Sequence, residues 1–198
     1  MSEHKHPHDG DVLEADVGPH EGAIDPERLA RREAALRHVV QFGDPVLKTQ
    51  APPVTRFDDE LRAEIARMGE LMVDSIGIGL AANQVGRLRS LLVYRVDDHE
   101  PIQALVNPEL EWSSRESEWF EEGCLSLPQV HVDVERPIHV RVRAQDADGE
   151  IIVVEASGLE ARVIQHEMDH LAGILILDRA PRDQRREAMR TLRDLDLA

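Results

Sequence analysis

The sequence predicts an α+β domain in which short strands, antiparallel or mixed, pack around one central helix. Two patterns carry this prediction. Between residues 90 and 154, apolar residues alternate in short runs that are joined by turn residues rather than by helices. Residues 157–173 then place their apolar side chains at helical spacing between a helix start signal and a helix stop signal. With 198 residues, the chain is long enough for one domain with a sizeable core.

Two helices are predicted before the strands, and each begins after an aspartate. Asp25 precedes a proline, which predicts an N-cap and a helix from residue 26 to about residue 37. Asp58 predicts the N-cap of a stronger helix that ends near Ser75. The apolar face of this second helix consists of Leu61, Ile65, Met68 and Met72. Residues 39–42, between the two helices, predict a short strand or an extended piece.

Alternating apolar residues predict six strands in the middle of the chain. They cover residues 90–96, 102–106, 117–121, 129–134, 138–142 and 151–154. The second strand is expected to end at Asn107-Pro108, because proline cannot donate to a sheet ladder. Residues 147–149 predict the hairpin turn between the last two strands. A further short strand is expected over residues 174–177.

The central helix has a predicted capping box, with Ser157 at the N-cap and Glu160 three residues later, and Gly173 as its C-cap. One stripe along it consists of Leu159, Val163, His166 and His170. The two imidazoles continue an apolar face, so we expect them to point into the core. Buried histidines need partners. These partners are either a metal ion or ordinary hydrogen bonds.

The last helix is expected to run from residue 181 to about residue 195. It carries five arginines, Arg182, Arg185, Arg186, Arg190 and Arg193. Residues 37–198 are predicted to form one domain that includes this helix. Residues 1–36 are predicted to be an acidic, partly disordered N-terminal extension.

Composition limits the possible functions. The net charge of −16 argues against wholesale nucleic-acid binding, and no specific DNA partner is expected. No apolar run approaches the ~20 residues of a membrane span, so no membrane association is expected. One cysteine allows no internal disulfide framework. These features, with an N-terminus that lacks an apolar signal-peptide core, lead us to expect a cytoplasmic protein.

A metal-hydrolase motif, H-E-x-x-H, lies in the central helix. His166 and His170 are four residues apart, so both imidazoles can reach one ion, with Glu167 beside them. Taken alone, the motif is equally compatible with a solvated helix face. Zinc proteases with the extended motif have a third histidine where this chain has Ile176, and no histidine follows His170. The third ligand is therefore expected upstream, and Cys124 is the natural candidate.

Three strings resemble the signature motifs of peptide deformylases, in the order found in that family. They are residues 77–84 (GIGLAANQ), residues 122–126 (EGCLS) and residues 165–170 (QHEMDH). The resemblance extends from about Val39 to the C-terminus. On its residues alone, the first string predicts either a tight loop packed under the core or a ligand-facing loop.

The resemblance implies a metal-dependent hydrolase that removes the formyl group from the N-terminal formylmethionine of nascent polypeptides. The implied metal ligands are Cys124, His166 and His170, with water in the fourth position. Glu167 is then the general base, and the oxyanion is stabilised by the Gln84 side chain and the Leu125 backbone N–H. A zincin-type peptidase and a non-catalytic metal-binding protein are the alternatives. The missing third histidine argues against the first, and the presence of Glu167 and Gln84 argues against the second.

The resemblance also implies how substrate is bound. The backbone of Gly79 is expected to pair with the peptide, which is added as a strand. Leu159 and Val163 are placed to line a methionine pocket, although plain core packing explains them equally well. Arg162 is expected at the rim or in solvent. Asp169 is expected either to orient a ligand histidine or to pair locally.

The expected cofactor is one divalent metal ion. The resemblance implies Fe²⁺ in the cell, while Zn²⁺, Co²⁺ and Ni²⁺ also suit a Cys/His/His set. The expected partners are N-formylmethionyl nascent peptides. The ribosome is a further candidate partner through the arginines of the last helix, with a solvated amphipathic helix as the alternative.

Overall fold

The computed structural model describes residues 25–196. The helices are α1 (Pro26–Leu36), α2 (Asp59–Asp74), α3 (Gly158–Leu171), α4 (Ile176–Arg179) and α5 (Arg182–Asp196). The strands are β1 (Gly79–Ala81), β2 (Leu91–Tyr94), β3 (Gln103–Ser113), β4 (Ser117–Glu122), β5 (Val132–Pro137), β6 (His139–Gln145) and β7 (Ile151–Ser157). Most of the predicted N-terminal extension lies outside the described residues, so the domain boundary at residue 37 stays a prediction.

The strands form two antiparallel sheets, which confirms the predicted fold class. One sheet has five strands in the order β1-β2-β3-β6-β7, and β4 and β5 form a separate pair. Helix α3 contacts β1, β2 and β7 of the large sheet and β5 of the small one. The predicted central helix is therefore central, because the side chains that it carries are enclosed by both sheets.

Apolar side chains form three clusters around this arrangement. Leu92, Val142 and Ile164 belong to the cluster between the large sheet and α3. Leu61 and Met72 of α2 pack against β1 and β2 from the other side, as their spacing predicts. The third cluster holds the C-terminal helices against β5, with Leu127, Val132, Leu175 and Leu192 among its members.

Two of the three predicted N-terminal caps are present, and the third is not. The carboxylates of Asp25 and Asp58 accept hydrogen bonds from the first turns of α1 and α2. The predicted capping box at Ser157 is wrong. Ser157 is the last residue of β7 and its hydroxyl lies 2.8 Å from Nδ1 of His139, its partner on β6. Glu160 instead accepts a hydrogen bond of 3.0 Å from the Tyr94 hydroxyl. His139 holds the Ser157 side chain and Tyr94 holds that of Glu160, so neither side chain caps the helix.

Strand β3 does not end at Asn107-Pro108, contrary to the prediction. Asn107 has a φ of 52°, and the pairing with β6 shifts register between Val106 and Glu109. At such an irregularity the missing N–H of proline interrupts no ladder bond. The Asn107 side chain joins Val54 and Gln145 through hydrogen bonds of 2.7–2.9 Å. The polar turn signal is therefore used to anchor a bulge within one long strand.

Two other predicted strands differ from the structure, and residues 39–42 take the second of their two predicted forms. They form no strand but an extended piece, in which the N–H of Val40 donates to Gln84 and that of Phe42 to Ser126. Residues 174–177 are not a strand either, because the chain enters α4, where Asp178 accepts a hydrogen bond from the Leu175 N–H. The strand predicted over residues 129–134 runs instead from Val132 to Pro137. No helix within residues 25–196 is long and apolar enough to cross a membrane.

Candidate active site

Cys124, His166 and His170 come together in the interior. One ligand atom from each lies within 4.8 Å of the others, and all three residues are buried. The Cys124 Sγ is 3.2 Å from Nε2 of His170. Tetrahedral sites with metal–ligand bonds of ~2.0–2.3 Å separate their ligand atoms by roughly 3.5 Å. One sulfur and two imidazole nitrogens at this spacing fit a single divalent ion and leave a fourth position open.

Two elements build this cluster. His166 and His170 are one turn apart on α3, so their rings project from the same face, with centroids 5.0 Å apart. Cys124 lies in the turn after β4, which is closed by a hydrogen bond of 2.9 Å from the Leu127 N–H to the Cys124 carbonyl. The small sheet and the central helix thus each hold part of the site.

Glu167 lies beside the cluster and is almost completely buried, with 1% of its surface exposed. Burial raises the pKa of this carboxyl to about 7, although the positive charges of His166 and Arg136 oppose the shift. Its Oε2 has no hydrogen-bond partner within residues 25–196. A carboxyl group with this pKa can both accept and release a proton near neutral pH, as a general base and acid must.

Gln84 is oriented by the backbone of the preceding strand. The N–H of Ala81 donates to Oε1 of Gln84 at 2.8 Å, which turns the amide nitrogen toward Sγ of Cys124 at 3.6 Å. The side chain of Asn83 donates to the His170 carbonyl and ties this loop to α3. No atom in the described part of the chain accepts a hydrogen bond from the Leu125 N–H. The Gln84 amide therefore points toward the cluster, and the Leu125 N–H beside Cys124 is free to donate.

The sequence does not identify a group of buried ion pairs behind the histidines. Nδ1 of His166 lies 3.0 Å from Oε2 of Glu122, whose carboxylate also accepts from Arg136 and Arg162. Hydrogen bonds from Arg136 and His166 outweigh burial and hold the pKa of Glu122 well below its usual range. Its place two residues before Cys124 is a usable signal, since a metal-ligating histidine commonly bonds a carboxylate through its other nitrogen. Arg136 has no comparable signal.

One expectation about these residues needs correction, and another is decided between its two alternatives. Arg162 is neither at the rim nor in solvent, because only 7% of it is exposed and it donates to Glu122 and to two backbone carbonyls. Arg162 lies between apolar residues on α3, and its charge alone does not indicate that β4 and β5 cover it. Asp169 pairs with Arg136 and Arg179, which is the local-pairing alternative. Glu122, and not Asp169, contacts His166.

A small cleft opens beside the cluster. It is lined by Ile78, Glu122, Gly123, Arg162, Val163, His166 and Glu167. Val163 is thus in its wall, whereas Leu159 is 36% exposed and does not belong to the lining. Substrate binding by either residue stays a prediction.

Gly79 lies at the edge of the large sheet, where β1 pairs only with β2 among the strands of residues 25–196. A Cβ atom at this position would overlap the Glu167 carboxylate and come within 2.9 Å of Cγ1 of Val163. No real Cβ contact is that short, so the close approach of β1 to α3 requires glycine. Binding of a peptide along this free edge is compatible with the strand order and stays a prediction.

Comparisons with known proteins agree with this geometry. A family model described as polypeptide deformylase matches residues 36–186. A peptide deformylase from Thermotoga neapolitana is 49% identical over 70% of this chain and 83% of its own length. One from Acidothermus cellulolyticus is 43% identical over 83% of this chain and 89% of its own. The crystal structure of a peptide deformylase from Synechococcus elongatus in complex with actinonin superposes with a TM-score of 0.74, at 44% identity, over 77% of this chain and 85% of that one.

Proposed function

Because the chain belongs to the polypeptide deformylase family, we propose that Cys124, His166 and His170 hold its metal ion and that Glu167 moves the protons of the reaction. The protein is a hydrolase that removes the N-formyl group from nascent peptides, and metal dependence is a general property of the family. The observation that carries the proposal is the buried sulfur–imidazole–imidazole cluster, with a buried carboxylate beside it that has one oxygen unpaired within residues 25–196.

The cluster supplies three ligands and an open position. When bound there, a divalent ion lowers the pKa of a water ligand toward neutrality and polarises the formyl oxygen. Glu167 accepts the proton of the attacking water and then gives it to the leaving amine, which releases formate.

Negative charge develops on the formyl oxygen as water adds to the carbon. We propose that Gln84 Nε2, which points toward Cys124, and the Leu125 N–H donate to it. The Gln84 amide is fixed in advance by its bond to the Ala81 N–H, so little reorganisation is needed during the reaction. Removal of one such donor typically lowers kcat by about 10²–10³-fold.

The substrate is proposed to enter as a strand along the free edge of β1. Gly79 would then offer its backbone to the peptide, close to Glu167. Val163 lies in the wall of the cleft and Leu159 is exposed one turn earlier on α3, and we propose that both contact the methionine side chain of the substrate. We propose that the ion is Fe²⁺ in the cell and that Zn²⁺, Co²⁺ or Ni²⁺ can replace it.

Formate release tests the assignment. Purified protein, with its metal content measured anaerobically, is assayed on a formyl-Met peptide and on the same peptide without the formyl group. We expect formate from the first and no internal cleavage of either, and cleavage of the unformylated peptide would favour a zincin-type peptidase. Glu167→Ala should retain the metal and lose formate release. Glu160→Ala, on the same helix but bonded to Tyr94, is the matched control and should stay active.

We also propose that the enzyme meets its substrates in the cytoplasm at the ribosome. All five arginines of α5 are exposed, while Ala188 and Leu192 of the same helix are buried and anchor it. A variant with these arginines changed to glutamine keeps the anchoring face. It should co-sediment less with ribosomes, and the difference should shrink at high salt. Binding equal to that of the unchanged chain at low salt would refute this proposal.

A further inference from the structure

A continuous series of ion pairs joins the ligand histidine His166 to an exposed arginine on α4. From this series we infer that Arg179 is a positioning residue for the metal site. The inference rests on the proposed function only in taking His166 as a metal ligand. Arg179 contacts none of the reacting groups, so its effect must pass through the side chains between them.

The outer half of the series begins at Arg179. Its guanidinium donates to both oxygens of Asp169, through Nε to Oδ2 and through Nη2 to Oδ1 at 2.5 Å. Asp169 Oδ2 accepts a second hydrogen bond, of 2.8 Å, from Nη1 of Arg136. Two arginines thus hold one carboxylate, and α4 is linked to the last turn of α3 and to β5.

The inner half begins at Arg136, whose guanidinium forms a bidentate contact with Glu122. Its Nε and Nη2 donate to the two carboxylate oxygens at 2.6 and 2.9 Å. Glu122 Oε2 then lies within hydrogen-bond distance of Nδ1 of His166, at 3.0 Å. Because each contact of this half is short and uses a planar group, the orientation of one group restricts the next.

The residues between Arg179 and His166 are buried, so the loss of Arg179 affects them strongly. The side chains of Arg136, Glu122 and Asp169 are 3%, 4% and 11% exposed, whereas that of Arg179 is 41% exposed. Asp169 Oδ1 has no other hydrogen-bond partner within residues 25–196. A change at Arg179 therefore leaves a poorly solvated carboxylate oxygen unpaired, which is costly.

The response of Asp169 should reach the metal site. Without Arg179, the Asp169 carboxylate can draw the Arg136 guanidinium closer to itself. Arg136 can move in this way only if its two hydrogen bonds to Glu122 weaken. The plane of the His166 ring then becomes less well defined. Partners that orient metal ligands typically change metal affinity or activity by 10–100-fold when removed. Arg179 is two carboxylates away from the ring, so we expect a change of about tenfold.

The test compares three full-length proteins, the unchanged chain, Arg179→Met and Arg179→Lys. Each is loaded with Co²⁺, whose visible spectrum reports ligand geometry, and Co²⁺ affinity is measured by competition with a chelator. For Arg179→Met we expect altered ligand-field bands, affinity weaker by about tenfold, and a lower kcat for a formyl-Met peptide with KM unchanged. Arg179→Lys keeps the positive charge but cannot form the bidentate contact with Asp169. It should therefore give smaller changes in the spectrum, in the Co²⁺ affinity and in kcat. If the methionine variant fails to fold, the lysine variant carries the test.

Arg67→Met is the matched control, since Arg67 is exposed on α2 and has no ion-pair partner within the described residues. It should leave spectrum and affinity unchanged. A folded Arg179 variant with the unchanged spectrum, affinity and kcat would overturn the inference, even if its thermal stability fell. Failure of the proposed function looks different: the unchanged chain would then bind no Co²⁺, or would bind it and release no formate. In the latter case the spectra of the variants still decide the role of Arg179.

Discussion

Arginine–carboxylate pairs occur beside α3 and on the outer face of β6 and β7, and the two regions differ in burial. Beside α3, Arg136 and Glu122 are 3% and 4% exposed. On the outer face, Arg141 donates to Glu155 in a similarly short pair, but these side chains are 50% and 68% exposed. The chemistry is the same in both regions. Water can replace either partner only on the outer face.

This difference decides what each pair can do. A buried pair costs desolvation free energy, so it adds little net stability but makes the loss of one partner severe. It can therefore fix the geometry of a neighbouring group, here the ring of His166. An exposed pair holds neither partner firmly and is screened by salt. We expect function to depend on the inner pair and to be indifferent to the outer one.

The largest effect is expected from removal of Glu122. Glu122→Ala leaves Arg136 and Arg162 buried without their shared carboxylate and His166 without its Nδ1 partner. We expect a loss of about 3–5 kcal/mol in the free energy of unfolding and metal affinity at least ~10-fold weaker. Urea unfolding and metal competition measure the two quantities. Glu155→Ala is the control on the outer face, and an equal effect of both variants would contradict the comparison.

A smaller effect on stability, but a large one on activity, is expected at Gly79. Gly79→Ala adds a methyl group that overlaps Glu167 and displaces its carboxylate. Overpacking costs about 1–3 kcal/mol, and a displaced catalytic group can lower the rate about 10²-fold. Formate release and thermal unfolding are measured on the same sample. Gly69→Ala is the control, because its new Cβ would meet only the side chain of Ile102. Full activity of Gly79→Ala would show that Glu167 tolerates movement.

Sequence patterns predict only part of the buried region beside α3. The spacing of His166 and His170 predicts the paired imidazoles, and elimination of downstream ligands leads to Cys124, because these residues are set by local periodicity and chemistry. The partners of Glu122 are not accessible in this way. Arg136 is 14 residues away on β5, and Arg162 is 40 residues away on α3, so only the packed fold brings them together.

The fold shows the same division. The α2 stripe and the alternation of β6 predict their elements, because one face of each is buried. Asn107-Pro108 led to a wrong prediction of the end of β3. A turn signal can also occur at a bulge, and here the side-chain amide of Asn107 forms hydrogen bonds with residues far away in the sequence. Ser157 and Glu160 mislead for a related reason. Their side chains can cap a helix, but tertiary partners on β6 and β2 take them instead.

The smallest effect is expected at the outer pair, where a double-mutant cycle sharpens the comparison. Arg141→Ala, Glu155→Ala and the double variant should give a coupling free energy of about 0.2–1 kcal/mol in urea unfolding, and less at high salt. Both residues face away from α3, since their neighbours Val140, Val142 and Ala156 fill the core. Formate release should therefore match that of the unchanged chain. A coupling well above this range, or one insensitive to salt, would mean that exposure is not what separates the two regions.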